Sequence, residues 1–183
     1  MRHTAWAVSV LLLGACSSFT PQGRRAAAAV DRARAELADA SGRKIGDATL
    51  QQTPRGVLLT LDLSGAPAGT RAIHLHNVGE CEAPFETAGE HVNPGGRAHG
   101  MRNAAGAHAG DLPNLFVPES GVLRQEILVS GVTLTARNSA LLDEDGSAIV
   151  MHASADDYVT DPSGGSGERV ACGVIKRESG SRR

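Results

Sequence analysis

The sequence predicts an all-β domain, an antiparallel sandwich or barrel. Short runs carry an apolar residue at every second position. Turn signals separate these runs, and no long stretch shows helical periodicity. Glycine, with 22 residues, supplies turns in number. Aromatics make up only 3% of the chain, so the core must be built from Val, Leu, Ile and Ala.

The first run, Ala33-Arg34-Ala35-Glu36-Leu37, admits two readings. It could continue a helix from the alanines at 26–29, or form a strand with small and apolar residues alternating against charged ones. The turn Asp39-Ala40-Ser41-Gly42 and the alternation from Lys44 to Gln52 through Ile45 and Leu50 favour a hairpin of two strands. Residues 56–63 give the clearest strand, with Val57, Leu59, Leu61 and Leu63 on one face. The turn at 64–69 follows. Further strands are expected at 71–77, 112–117, 122–129, 148–152 and 169–175, eight in all. Residues 78–111 have no periodicity and are rich in Gly, Asn, Pro and His. Structureless loops beyond about 12–15 residues are uncommon and tend to be functional, so a bound metal is the simplest device to hold this one.

A net charge of −2 lacks the basic excess of a nucleic-acid binder, so no nucleic-acid partner is expected. Met1-Arg2-His3 is a short basic start, and Ala5 to Leu13 is an apolar run of signal-peptide length, too short to span a bilayer. The run ends Leu13-Gly14-Ala15-Cys16, which resembles a bacterial lipobox. That resemblance implies a signal peptide at 1–15, lipidation of Cys16 and a linker over 16–31. It also implies a membrane partner through the lipid anchor. Ser17 after the cysteine leans toward the outer membrane, on the periplasmic side of the cell envelope. Residues 32–176 form the domain, and 177–183 read as a loose basic tail. Cys81 and Cys172 are either two free buried thiols or a disulfide, and export to an oxidising compartment favours the disulfide. It would close a loop of about 90 residues, a constraint on the order of 4–5 kcal/mol in the chain-entropy model.

Histidine carries the functional signal. His74 and His76 are two apart on an expected strand, so both rings emerge on one face. His91, His99, His108 and Asp111 follow in the long loop, and His152 ends a distant strand. Each taken singly reads as an ordinary structural or exposed residue. Together they are too many to satisfy in one small core without a ligand. Imidazole suits both zinc and copper, and a carboxylate fits a closed four-coordinate zinc site.

At these residues the chain resembles the copper/zinc superoxide dismutases. His74-Leu75-His76-Asn77-Val78-Gly79-Glu80-Cys81 is similar to their copper signature, and Ala88-Gly89-Glu90-His91-Val92-Asn93-Pro94 to their bridging-histidine segment. His99-Gly100 and His108-Ala109-Gly110-Asp111-Leu112 are similar to their zinc loop. His152 with Asp156-Asp157, and Gly167 to Ile175 with Arg169 and Cys172, are similar to their closing segments. The resemblance implies an eight-stranded Greek-key barrel or sandwich with long metal-binding and electrostatic loops. It implies copper on His74, His76, His91 and His152, and zinc on His91, His99, His108 and Asp111, with His91 shared. Asp156 would accept hydrogen bonds from His74 and His99, the Cys81–Cys172 disulfide would pin the long loop, and Arg169 would attract superoxide. The implied reaction turns two superoxide anions and two protons into dioxygen and hydrogen peroxide, with catalytic roles for Arg169 and His91. The resemblance fits a monomer or a homodimer.

The chain departs from the family pattern at Ile73, where an aromatic residue is common, and at Glu168, where a small residue is usual. Residues 153–168 hold Asp156, Asp157, Asp161 and Glu168 but no lysine. Electrostatic steering is therefore expected to be weak, with any positive charge at the mouth coming from Arg97 or Arg102. Two rival readings share parts of this pattern. One is a non-catalytic envelope lipoprotein that binds copper or zinc, which has no need of Arg169. The other is a structural β-sandwich stapled by one disulfide, indifferent to chelators.

Overall fold

A computed structural model describes residues 32–136 and 139–178. The expected signal peptide, the Cys16 lipidation site and the linker lie outside the described residues, as do positions 179–183 of the tail. Among the described residues ten strands form: β1 (Arg32–Asp39), β2 (Lys44–Thr53), β3 (Gly56–Ser64), β4 (Gly69–Arg71), β5 (Ile73–His76), β6 (Leu115–Val117), β7 (Val122–Val129), β8 (Ala148–His152), β9 (Arg169–Val174) and β10 (Lys176–Arg177). A short 3₁₀ turn covers Glu86–Ala88.

The strands run antiparallel in the order β5-β8-β9-β1-β2-β3-β7, with β10 also on β1, and β4 paired with β6. Chain neighbours β1, β2 and β3 pair in sequence. The chain then crosses to the far end of the sheet at β5 and returns as β7 beside β3, and β8 inserts between β5 and β9. This is the antiparallel sheet that the alternation predicts, curled in the Greek-key manner that the family resemblance implies.

Alternation explains the packing. In β1 the burial pattern alternates strictly from Arg32 to Leu37, which resolves the helix-or-strand ambiguity. Val57, Leu59, Leu61 and Leu63 are all fully buried. Leu59 lies opposite Leu50, and Leu61 opposite Ala48. The main core cluster is aliphatic, with Met151 but no aromatic ring.

Three expected elements differ in extent. The strand expected at 71–77 is broken at Ala72, whose N–H and C=O bond to Ser154 and His152 rather than to a ladder partner. The break transfers the chain from the β4–β6 pair to the main sheet. The strand expected from Leu112 begins only at Leu115, because the Asn114 N–H is donated to the Tyr158 hydroxyl. The tail expected to be loose from residue 177 is held at its start: Arg177 pairs with Ala33, and the Glu178 N–H bonds to the Arg32 carbonyl.

The long segment 78–111 is not free of the sheet. Its Val92 N–H bonds to the Leu75 carbonyl, and the Leu75 N–H bonds to the Gly110 carbonyl. Isolated bridges set His76 beside His91 and His74 beside Asp111. The open edge of β5 is thus covered by loop backbone. Gly110 is required there, since a Cβ would sit 2.4 Å from the Leu75 carbonyl oxygen.

Candidate metal centre

The β5 edge, the long loop and the end of β8 bring the predicted residues into two adjoining groups. His74, His76, His91 and His152 form one, and His91, His99, His108 and Asp111 the other. Within each group one nitrogen or oxygen per residue lies within 4.8 Å of the rest. His91 belongs to both.

The period of two in β5 puts His74 and His76 on the same side, as expected, and β8 delivers His152 next to them with ring centroids 4.9 Å from His74. His91 reaches the same place from the loop, its ring centroid 4.1 Å from that of His74. Except for His108, which is partly exposed, all these rings and Asp111 are buried.

Five of the six rings are held through one nitrogen, and the other nitrogen makes no hydrogen bond. The His76 Nδ1 lies 2.9 Å from the Gly89 carbonyl oxygen. The His152 Nδ1 is 3.0 Å from the Ser166 hydroxyl and 3.2 Å from the Gly167 carbonyl oxygen. The His74 Nε2 is 2.9 Å from Asp156 Oδ2, and the His99 Nε2 is 3.0 Å from Asp156 Oδ1. The buried nitrogens without a hydrogen bond are His74 Nδ1, His76 Nε2, His91 Nε2, His99 Nδ1 and His152 Nε2, the His99 atom facing Asp111 Oδ1 without forming a hydrogen bond to it. Buried polar atoms without partners are costly and call for a ligand. Five of them, all ring nitrogens, fit metal ions.

In the second group, Asp111 Oδ1 is 2.9 Å from His91 Nδ1, 3.0 Å from His99 Nδ1 and 3.3 Å from His108 Nδ1. The His91 and His108 Nδ1 atoms are 3.3 Å apart. A tetrahedron with metal–ligand bonds of about 2.0–2.1 Å has edges of about 3.3 Å, so this cluster matches a closed zinc site. Asp111 is fixed in place by Oδ2, which accepts the Gly100 and His108 N–H groups.

Electrostatics agree with a ligand role. Burial lowers the His76 pKa to about 2, His152 to about 3 and His91 to about 4. Asp111 is raised by burial but lowered more by the bonds from His91 and Gly100, ending at about 2. Asp156 follows the same pattern: burial opposes, and the bonds from His74 and His99 hold it well below the carboxylate range. At neutral pH the His76, His91 and His152 rings are therefore neutral and Asp111 is ionised, the forms that bind metal.

Arg169, at the start of β9, donates Nη1 to the Phe85 carbonyl and Nη2 to the Gly89 carbonyl, both at 2.8 Å. With His76, His91 and His152 it lines a cavity of about 260 Å³. Cys81 and Cys172 are joined in a disulfide that ties the segment carrying those carbonyls to β9. Arg97 and Arg102 do not supply this cavity. Arg97 bonds to Gly106 and lines a separate hollow with His108, and Arg102 stacks over Tyr158.

Some contributors gave no signal in the sequence. Asn114 is buried, and its amide exchanges two bonds with the backbone of Asp156. Gly164, at φ +66°, leaves room for Asp156, since a Cβ there would overlap Oδ1 at 1.7 Å. Neither a lone Asn after Leu112-Pro113 nor one Gly among several marks such a contact in advance.

Fold and donor set together define a metalloprotein, an antiparallel β-barrel bearing two adjoining imidazole-rich metal groups beside an arginine. The model of the family described as copper/zinc superoxide dismutase (SODC) matches residues 44–175, and the chain belongs to that family. The superoxide dismutase [Cu-Zn] 2 of Aquifex aeolicus is 43% identical over 148 residues, covering 79% of this chain and 86% of that protein. The superoxide dismutase [Cu-Zn] of Caulobacter vibrioides is 45% identical over 139 residues, covering 74% and 80%. Among solved structures, a SOD-like protein from Bacillus subtilis aligns with a TM-score of 0.75 at 33% identity, over 78% of this chain and 97% of that one.

Proposed function

We propose that the chain is a superoxide dismutase that holds copper on His74, His76, His91 and His152 and zinc on His91, His99, His108 and Asp111. The observation that carries this is His91, whose two nitrogens face different donor groups. Its Nδ1 lies in the Asp111 cluster, and its Nε2 is an orphan beside His74, His76 and His152.

When bound, copper supplies the one-electron exchange with superoxide, and zinc supplies a fixed positive charge with no redox chemistry of its own. The remaining work belongs to the chain. Arg169 carries a permanent charge on a guanidinium braced by two carbonyls, so a small anion in the cavity meets a positioned donor. His91 Nε2 is the atom placed to hold a proton and pass it to reduced product. Asp156 spans both groups by bonding His74 and His99, which orients both rings and couples the two sites. The cavity, about 260 Å³, has room for a diatomic anion beside the buried rings.

The reading extends to location. The basic start, the apolar run and Cys16 support export and lipid anchoring at the bacterial envelope, with the enzyme protecting that compartment from superoxide.

Arg169→Ala is the discriminating experiment. The substitution removes no ligand atom, so copper and zinc content stay at the wild-type level while turnover falls about tenfold or more. A non-catalytic metal-binding lipoprotein would show equal behaviour for both proteins. Unchanged turnover at full metal content would overturn the catalytic role.

A further inference from the structure

The cavity before His76, His91 and His152 is lined by carboxylates as well as by Arg169: Glu86, Glu90 and Glu168 outnumber the single cation three to one. Glu86 Oε2 lies 3.7 Å from Arg169 Nη2. The Glu86 side chain is 75% exposed and that of Arg169 only 14%, so the carboxylate stands on the solvent side of the guanidinium. Glu90 and Glu168 are also exposed, each adjoining in sequence a residue of the cavity wall, His91 and Arg169. Residues 153–168 contain no lysine, and neither Arg97 nor Arg102 reaches the cavity.

We propose that Glu86, Glu90 and Glu168 are specificity-determining residues that cancel the Arg169 field at the cavity mouth. Anion entry is then retarded at the mouth, and attraction acts only once the anion is against the guanidinium. A cleft lined mainly by one sign of charge focuses its field outward and alters anion on-rates by factors of about 10–10³. Here the lining side chains carry three negative charges to one positive, and they act against the pull of Arg169 and of the bound metal ions. The proposal rests on the dismutase reading only in naming superoxide as the anion. Its electrostatic content holds for any small anion, so the two can fail separately.

The test uses the copper- and zinc-loaded protein and the variants Glu86→Gln and Glu168→Gln. Glu119→Gln, in the β6–β7 turn and outside the cavity, is the control for net charge. Two quantities are followed: the superoxide dismutation rate constant, and the affinity for azide read from the copper absorption spectrum. Both are measured as salt rises from about 0.01 M to about 0.15 M, which shortens the Debye length from about 30 Å to about 8 Å. The wild-type rate is expected to stay level or rise with salt. At low salt each cavity variant should raise the rate and tighten azide about threefold, with the gain fading at high salt and no change in the control. A wild-type rate that falls steeply with salt, cavity variants that match the control, or absence of azide binding would each overturn the proposal. Loaded protein that binds azide with this charge dependence but has no dismutase activity would instead overturn the functional reading and leave the electrostatic one standing.

Discussion

Asp156→Ala probes the link between the two metal groups. The Asp156 side chain is wholly buried and accepts from the His74 and His99 rings at 2.9 and 3.0 Å and from the Tyr158 N–H at 2.6 Å. Alanine removes both carboxylate oxygens, so the His74 and His99 rings both lose the acceptor that orients them. Hydrogen bonds to charged groups contribute about 1.5–3 kcal/mol each, and loss of such an orienting partner commonly weakens a metal site about 10–100-fold. The loss should fall unequally. His74 is pinned in β5 between β8 and loop backbone, so its ring keeps much of its position without Asp156. His99 lies in the loop, held through its N–H to Asp161 and through Asp156. The variant is therefore expected to lose about 10–100-fold in zinc affinity and less in copper affinity, measured by chelator competition. Asp157→Asn, an exposed neighbour, serves as the control. Zinc affinity within about threefold of wild type, on the scale of those losses, would refute the argument that Asp156 orients His99 for metal.

Two further outcomes follow from burial and from the disulfide. In the metal-free protein His76, His91 and His152 have folded pKa values near 2, 4 and 3, against an ordinary value of 6.5. Below about pH 6.5 the unfolded chain binds protons that the folded chain refuses, so stability is full above that pH and lost as pH falls. The slope approaches about 4 kcal/mol per pH unit with three such rings, and urea unfolding from about pH 7 to about pH 5 should show a steady drop in midpoint; a flat midpoint would contradict the burial argument. The Cys81→Ser/Cys172→Ser double variant removes a cross-link with sequence separation 91, which should cost about 4–5 kcal/mol. It should also slow dismutation by loosening the Phe85 and Gly89 carbonyls that brace Arg169. Full stability with full activity would show that the segment holds without the bond.

Much of the site was legible because its signals are local. Period two in β5 puts His74 and His76 on one face, and Cys81 and Cys172 are the only two cysteines of the expected domain. β3 was legible for the same reason, as its alternation runs through Val57, Leu59, Leu61 and Leu63. What was not legible depends on contacts made at long range. The break at Ala72 exists because Ser154 and His152 take its backbone bonds. The pairing of Arg177 depends on where β1 lies. Asn114 acquires its role only when the segment at Asp156 folds over it. Glu86 lies far from Arg169 in sequence and becomes its neighbour through the loop that the disulfide pins. The charge of residues 153–168 already pointed to weak steering, but only the folded cavity shows which carboxylates surround the arginine.

The most direct test joins metal analysis to activity in one preparation. Purified protein should contain one copper and one zinc per chain. Selective removal of copper should abolish superoxide dismutation, and copper, but not zinc, should restore it. Full dismutation after copper removal, or a chain that takes up a single metal ion at saturation, would contradict two adjoining sites built around His91.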